Sequence, residues 1–340
     1  MTRMDKALVL SAGLLLSAAF GPGAPPAAAK SKKPTALERL KFMSQPQLNL
    51  RSFDFDPETP LESRIGPAPA FIVDMMRQFD QRPDYEGYDP TPGERALLAG
   101  YINGLPAGMR KVFQERLVGF FFIKPFMGNG MGNWLVDDKG KVFSTIILNP
   151  AGFERSLSEV LTGREASVFK GDANVRFDCG DKERGILYTL LHEGTHAYDY
   201  IRGITPYTDS TVLYMLREGR GEGAKWDVWE DYSKPRKDAD FPLRSKLRFY
   251  GFGEPLIEPK DAVKLYFQLA DSPFATLYGS QSWAEDAAEL AVFHHITRIL
   301  KQPCAITFPA IDSGTPNRFS VLETEPALGR SRRIYQKLEK

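Results

Sequence analysis

Apolar positions recur at helical spacing through Phe71, Ile72, Val73, Met75, Met76 and Phe79, again through Glu94–Asn103, and again through Gly108–Phe122. Each stretch is edged by proline or glycine, and the spacing predicts three helices. The pattern then changes. Val142–Leu148 is a β-branched, apolar run that follows Asp137-Asp138-Lys139-Gly140, and it predicts a strand entered from a hairpin turn. Helical spacing returns at Leu157–Phe169. Within Lys182–Arg202, the residues Leu190, Gly194, Ala197 and Ile201 fall at i, i+4, i+7 and i+11, the packed face of a helix that Gly203 and Pro206 end. Residues 205–259 mix glycine, proline, arginine and aromatics without a period and read as an irregular insertion. Two more helices are predicted over Pro259–Leu269 and Gln281–Leu300. Gly128–Gly132 (GNGMG) is followed by neither a Lys-Ser/Thr pair nor a helix start, so its glycines read as turn residues and not as a phosphate cradle.

The chain start has its own pattern. A short basic stretch, Met1–Lys6, precedes fourteen apolar residues, Ala7–Phe20, then Gly21, Pro22, Pro25-Pro26 and Ala27-Ala28-Ala29. This order is that of a secretory signal peptide over residues 1–29. The apolar run falls short of the roughly 20 residues a membrane helix needs, and no cysteine stands near the cleavage site to accept a lipid. The expectation is a secreted or periplasmic protein with no membrane span in the mature chain. Residues 30–68 are polar and proline-containing and read as a linker or leader. The remainder, 69–340, reads as a single domain.

Composition adds one exclusion. The chain of 340 residues has 44 basic and 43 acidic residues, and the first 29 hold only Arg3, Lys6 and Asp5, so the remainder is balanced. A balanced chain lacks the basic excess that draws proteins to phosphate backbones, and nucleic-acid binding is not expected. The two cysteines, Cys179 and Cys304, cannot make a zinc site alone, but in an exported chain they can form a disulfide. Cys179 precedes one predicted helix and Cys304 follows another, so antiparallel packing of the two would bring the thiols together.

The chemistry concentrates in Leu191-His192-Glu193-Gly194-Thr195-His196, an H-E-x-x-H pattern inside a predicted helix. Residues four apart share a helix face, so both imidazoles can point at one metal, with Glu193 beside them as general base toward a metal-bound water. The pattern uses two of only four histidines. Catalytic zinc needs a third protein ligand and an open position. His294 and His295 can supply an imidazole. A second source is Ser282–Glu289, where Glu285, Glu289, Val292, Ile296 and Ile299 fall at i, i+4, i+7, i+11 and i+14. Two carboxylates thus extend an apolar stripe, where unpaired acids are costly. One acid on the metal and a second accepting the free N–H of a ligating histidine would satisfy both. Ser282-x-x-Glu285 is also the spacing of a capping box, in which Glu285 only closes the first helical turn. Asp199, one turn beyond His196, either orients a ligand as an outer partner or solvates the helix end.

Two segments, His192–Asp199 (HEGTHAYD) and Tyr278–Glu289 (YGSQSWAEDAAE), together about twenty residues, resemble the zinc-site motifs of the lethal-factor-type gluzincin metallopeptidases. The resemblance implies an α+β, zincin-like domain with a small sheet beside the H-E-x-x-H helix. It implies His192, His196 and Glu285 as ligands of Zn2+, Glu193 as base, and Tyr278 as hydrogen-bond donor to the developing oxyanion. Asp286-Ala287 stand where that family carries an aromatic pair, which bears on substrate choice. The reaction expected is hydrolysis of a peptide bond in a peptide or protein substrate. Two alternatives share the motif: a zinc amidase acting on cell-wall peptide, and a catalytically silent protein with a structural metal. A third is a carbohydrate- or partner-binding module using Trp226, Trp229 and Tyr232.

Overall fold

A computed structural model describes residues 33–249, 253–311 and 314–340. The signal peptide expected over residues 1–29 lies outside the described residues. In chain order the elements are α1 (Ala36–Met43), β1 (Ile65–Pro67), α2 (Ala70–Asp80), β2 (Glu86–Gly87), α3 (Pro92–Gly104) and α4 (Ala107–Arg116). There follow β3 (Leu117–Lys124), β4 (Gly130–Val136), β5 (Val142–Leu148), α5 (Ala151–Glu154), α6 (Leu157–Ala166) and β6 (Arg176–Asp178). The last are α7 (Gly185–Arg202), β7 (Trp229–Asp231), β8 (Lys234–Pro235), α8 (Ala262–Ala270), α9 (Trp283–His294), β9 (Ala305–Phe308), β10 (Asn317–Ser320) and α10 (Glu325–Leu338). The architecture is α+β with small sheets.

The main sheet runs β1-β3-β5-β4, with β2 added to β3. β1, β3 and β5 are mutually parallel along this path, and β4 pairs antiparallel with β5 as a hairpin. The turn between them is the Asp137–Gly140 turn expected from sequence: the Asp137 carboxylate accepts the N–H groups of Lys139 and Lys141, and Gly140 takes φ 74°. Helix α7 packs on β4 and β5, and both lie within one continuous core that also takes in α9.

Three stretches differ from the reading of the pattern. The helix expected over Gly108–Phe122 ends at Arg116, and Leu117–Lys124 is the central strand β3. Its run LVGFFFI is buried on both faces between β1 and β5, and a strand buried on both sides shows no alternation to read. Gly130–Gly132 are not turn glycines but the first residues of β4. Residues 33–68 have the composition of a linker yet pack on the domain: Phe42, Leu48, Leu61 and Ile65 are buried, and β1 is a member of the sheet. Arg64, a polar residue in that stretch, is itself buried, donating to the carbonyls of Phe113, Leu117 and Gln114 at the end of α4.

The described residues of 205–259 are mostly irregular, with one π turn at 212–216 and the β7–β8 hairpin. Helix α10 closes on α9 through Arg330, whose guanidinium binds Asp227 Oδ2 at 2.6 Å and also Asp286, while Trp229 Nε1 donates to Asp286 Oδ2 at 2.8 Å. Because Asp286 is fully buried, this network sets the rotation of α9 about its axis. A disulfide joins Cys179 to Cys304. It sits at the end of the β6–β9 ladder, where Asp178 pairs with Ala305, and ties the approach to α7 to the exit from α9. No helix among the described residues is long and apolar enough to cross a membrane.

Candidate metal centre

Helix α7 carries His192 and His196 one turn apart, with their rings edge-on at 4.9 Å between centroids and their Nε2 atoms 3.2 Å apart. The helix lies close against the edge strand β4, and two glycines make this possible. A Cβ at Gly130 would stand 2.4 Å from Thr189 Cγ2 and 2.8 Å from the Ile147 carbonyl oxygen, and one at Gly132 would stand 3.2 Å from the Glu193 carbonyl oxygen. A glycine in a strand where another backbone approaches is the expected solution. The contact is polar as well as steric: the Gly132 N–H donates to Glu193 Oε2 at 2.6 Å, so the strand holds the carboxylate expected to act as base.

Helix α9 supplies the third group. Ser282 caps it, its hydroxyl accepting the Glu285 N–H at 3.3 Å. In a full capping box the Glu285 carboxylate would return to the Ser282 N–H, as Glu38, Glu94 and Glu159 do at α1, α3 and α6. It instead crosses to α7, placing Oε2 2.9 Å from His192 Nε2 and 3.6 Å from His196 Nε2. His192, His196 and Glu285 thus offer one ligand atom each to a common point and can hold a metal ion. The His192 side chain is 4% exposed, against 12% for His196 and 21% for Glu285, so the open side of the cluster lies toward the last two.

Glu289, one turn further along α9, is fully buried behind His192. Its Oε1 faces His192 Nδ1 at 3.1 Å and accepts from the Tyr188 hydroxyl at 2.8 Å. Its Oε2 accepts from Thr276 Oγ1 at 2.6 Å and Arg164 Nη1 at 2.8 Å. Nε2 of His192 is thus turned to the point where the three groups converge and Nδ1 to a carboxylate, the placement an outer partner of a ligating histidine would take.

The charges of the cluster favour a cation at its centre. Burial opposes charge on His192, but the carboxylates of Glu285 and Glu289 overcome it and raise the imidazole to about 10. Burial likewise opposes charge on Glu289, yet Arg164 and His192 hold it down at about 2. Glu285 is held well below the usual carboxylate range, its own burial outweighed by His196 and His192. Two ionised acids around two imidazoles call for positive charge, which a proton or a metal ion can provide.

The other expected residues divide. Tyr278 lies at the site: its ring is 5.6 Å from that of His192, and it lines an open cleft with Glu193, His196 and Glu285. Met76, Phe79, Phe126, Met127 and Met131 form the apolar part of this cleft. Asp199 is not an outer partner of the histidines. Its oxygens accept the N–H groups of Ile204 and Thr205 and the hydroxyls of Thr205 and Thr208, so it ties the loop after α7 to the helix end. His294 and His295 do not approach the cluster either; both pack against Tyr335 on α10, His295 Nδ1 lying 2.7 Å from its hydroxyl. Of the aromatics considered for stacking ligands, Trp229 is buried against Phe274, and Tyr232 stacks on Tyr207 and packs on Trp283. Arg164, Tyr188 and Thr276 were not anticipated. They are scattered over α6, α7 and the loop before α9, and only the fold brings them to Glu289.

Compared with protein families, curated proteins and solved structures, the chain matches none.

Proposed function

We propose that the protein is an exported zinc metallopeptidase with a zincin-like catalytic domain. The observation that carries this is the convergence of two imidazoles and one carboxylate beside a glutamate held by a strand N–H. The three ligand-atom separations, 2.9, 3.2 and 3.6 Å, bracket the edge of about 3.3 Å expected between ligands at tetrahedral zinc distances. Two nitrogens and one oxygen are also the donor set of hydrolytic zinc sites that keep a fourth position open. When bound, zinc would supply Lewis-acid polarisation of a carbonyl and acidify water.

The remaining steps belong to the chain. Glu193, anchored by the Gly132 N–H, takes the proton of the attacking water and delivers it to the leaving amine. Tyr278, on the wall of the same cleft, donates its hydroxyl to the carbonyl oxygen as negative charge builds there. Glu289 keeps the His192 Nδ1 proton engaged, so that Nε2 stays free to bind metal. The apolar cleft side of Met76, Phe79 and Met131 provides a surface for substrate side chains. The Cys179–Cys304 disulfide supports export, since such bonds persist in oxidising compartments.

Metal analysis of the purified protein, followed by cleavage of a peptide library with and without a chelator, tests the assignment. About one zinc per chain and chelator-sensitive cleavage are expected. Stoichiometric zinc without cleavage of any peptide would overturn the peptidase assignment and leave a metal-binding protein.

A further inference from the structure

Arg164 on α6 is a charged side chain sealed in the interior, at 1% exposure. A buried guanidinium is costly unless its donors are matched, and where they go shows what it serves. Nη1 donates to Glu289 Oε2 at 2.8 Å and to the Tyr188 hydroxyl at 2.6 Å. Tyr188 in turn donates to Glu289 Oε1 and lies 3.3 Å from His192 Nδ1. Nη2 lies 3.2 Å from Glu165 Oε1, and Glu165 receives the Tyr266 hydroxyl at 2.7 Å. The guanidinium carbon also stands 5.1 Å from the ring centre of Tyr278, within cation–π range. One cation thus touches the acid behind His192, a second hydroxyl on that acid, and the tyrosine of the cleft wall.

An arginine that only pinned helices together would have no reason to converge on these three groups. We propose that Arg164 is a positioning residue of the metal centre, fixing Glu289 behind His192 and backing the ring of Tyr278. This role rests on the metal-binding function proposed above. A lysine would keep the charge but not the planar fork that reaches Glu289 and Tyr188 through Nη1 and Glu165 through Nη2, so Arg164→Lys removes the geometry selectively.

The test is a double-substitution cycle read as zinc affinity, by competition of purified full-length protein against a chromogenic chelator. Arg164→Lys and Glu289→Gln are each expected to weaken zinc binding about 10- to 100-fold, the scale of losing an outer partner of a ligand. If Arg164 acts through Glu289, the Arg164→Lys/Glu289→Gln pair binds zinc no more weakly than the poorer single variant. A purely structural role predicts losses that multiply. Circular dichroism and thermal melting identify any variant that fails to fold. Should Arg164→Lys do so, Arg164→Met/Glu289→Gln removes both charges together, leaving Glu289 no buried orphan charge. That variant is expected to match Glu289→Gln alone. Zinc affinity of Arg164→Lys equal to the parent's, or losses that multiply, would overturn the proposal. A parent chain that binds no zinc would overturn the metal centre itself, a distinct result read before any variant.

Discussion

The Ser282 hydroxyl accepts the Glu285 N–H at 3.3 Å, but the Glu285 carboxylate leaves the cap and lies 2.9 Å from His192 Nε2. The serine therefore starts α9 by itself and frees the acid for the cluster. Glu289, one turn on, reaches the other side of the same ring at Nδ1. The two acids of the stripe thus meet opposite nitrogens of His192, and substitution should separate their proposed roles. Glu285→Ala is expected to purify largely without zinc, because it removes a ligand. Glu289→Ala keeps the three ligand atoms and should retain zinc with affinity lowered about 10- to 100-fold. Zinc content after dialysis against a weak chelator distinguishes them, and reversed phenotypes would exchange the two roles.

Glu193→Gln should leave zinc content near that of the parent, since Glu193 is not one of the three converging groups. Hydrolysis should fall by at least about 100-fold, the usual scale for a general base. Gly130→Ala offers an independent approach to the same group. Its methyl would meet Thr189, the Ile147 carbonyl and Glu193 Cγ, so strand β4 must shift away from α7. The expected result is a lowered kcat with zinc retained. Full activity in either variant would mean that proton transfer does not depend on Glu193 as held by β4.

Much of this centre was legible in the chain. His192, Glu193 and His196 are one turn of one helix, and Glu285 and Glu289 one turn of another, so each half shows in a local period. What was not legible depends on contacts between distant elements. The glycines of β4 read as turn residues because a strand glycine needed for close backbone approach looks, in sequence, like any other. Arg164 carries no local sign of this role, since its partners at the cluster, Tyr188 and Glu289, stand 24 and 125 residues away. Asp199 was placed near the histidines by spacing, yet its oxygens go to the backbone at the end of α7, a common use of aspartate that periodicity does not reveal. The Leu117–Ile123 run lacked alternation because both its faces are buried, and so its period read as a continuation of α4.

Tyr278→Phe should lower kcat with little change in zinc content or KM, because the hydroxyl acts on charge that builds only in the transition state. Steady-state kinetics beside metal analysis separates this from a packing role. The ring also packs on Phe249, at 5.0 Å, and a loss of stability with kcat unchanged would return Tyr278 to the core.

The Cys179–Cys304 bond closes a sequence separation of 125 residues. Constraining so long a loop in the unfolded chain is worth roughly 2–5 kcal/mol. Cys179→Ser/Cys304→Ser should therefore lower the denaturation midpoint measurably in chelator-treated protein. Because the bond ties the approach to α7 to the exit from α9, zinc affinity should fall along with stability. Two free thiols in non-reduced mass mapping of the native protein would remove the basis for this expectation.

Acid should destabilise the protein through His295. His295 is buried against Tyr335, and burial, with His294 alongside, pushes its imidazole down to about 4. In the unfolded chain the same group takes up a proton near 6.5. Between those values the unfolded state binds more protons than the native one, so stability is full above about pH 6.5 and declines as pH falls toward 4. A shift of this size corresponds to at most about 3–4 kcal/mol, since each pH unit of difference is worth 1.36 kcal/mol. His295→Gln cannot titrate, so whatever its stability at pH 7, it should lose less than the parent on going to pH 4.5. The comparison is made on chelator-treated protein, by urea unfolding at both pH values. The carboxylates and His192 are common to parent and variant and cancel in the difference. Equal losses in the two proteins would show that His295 is already able to take up a proton in the native state.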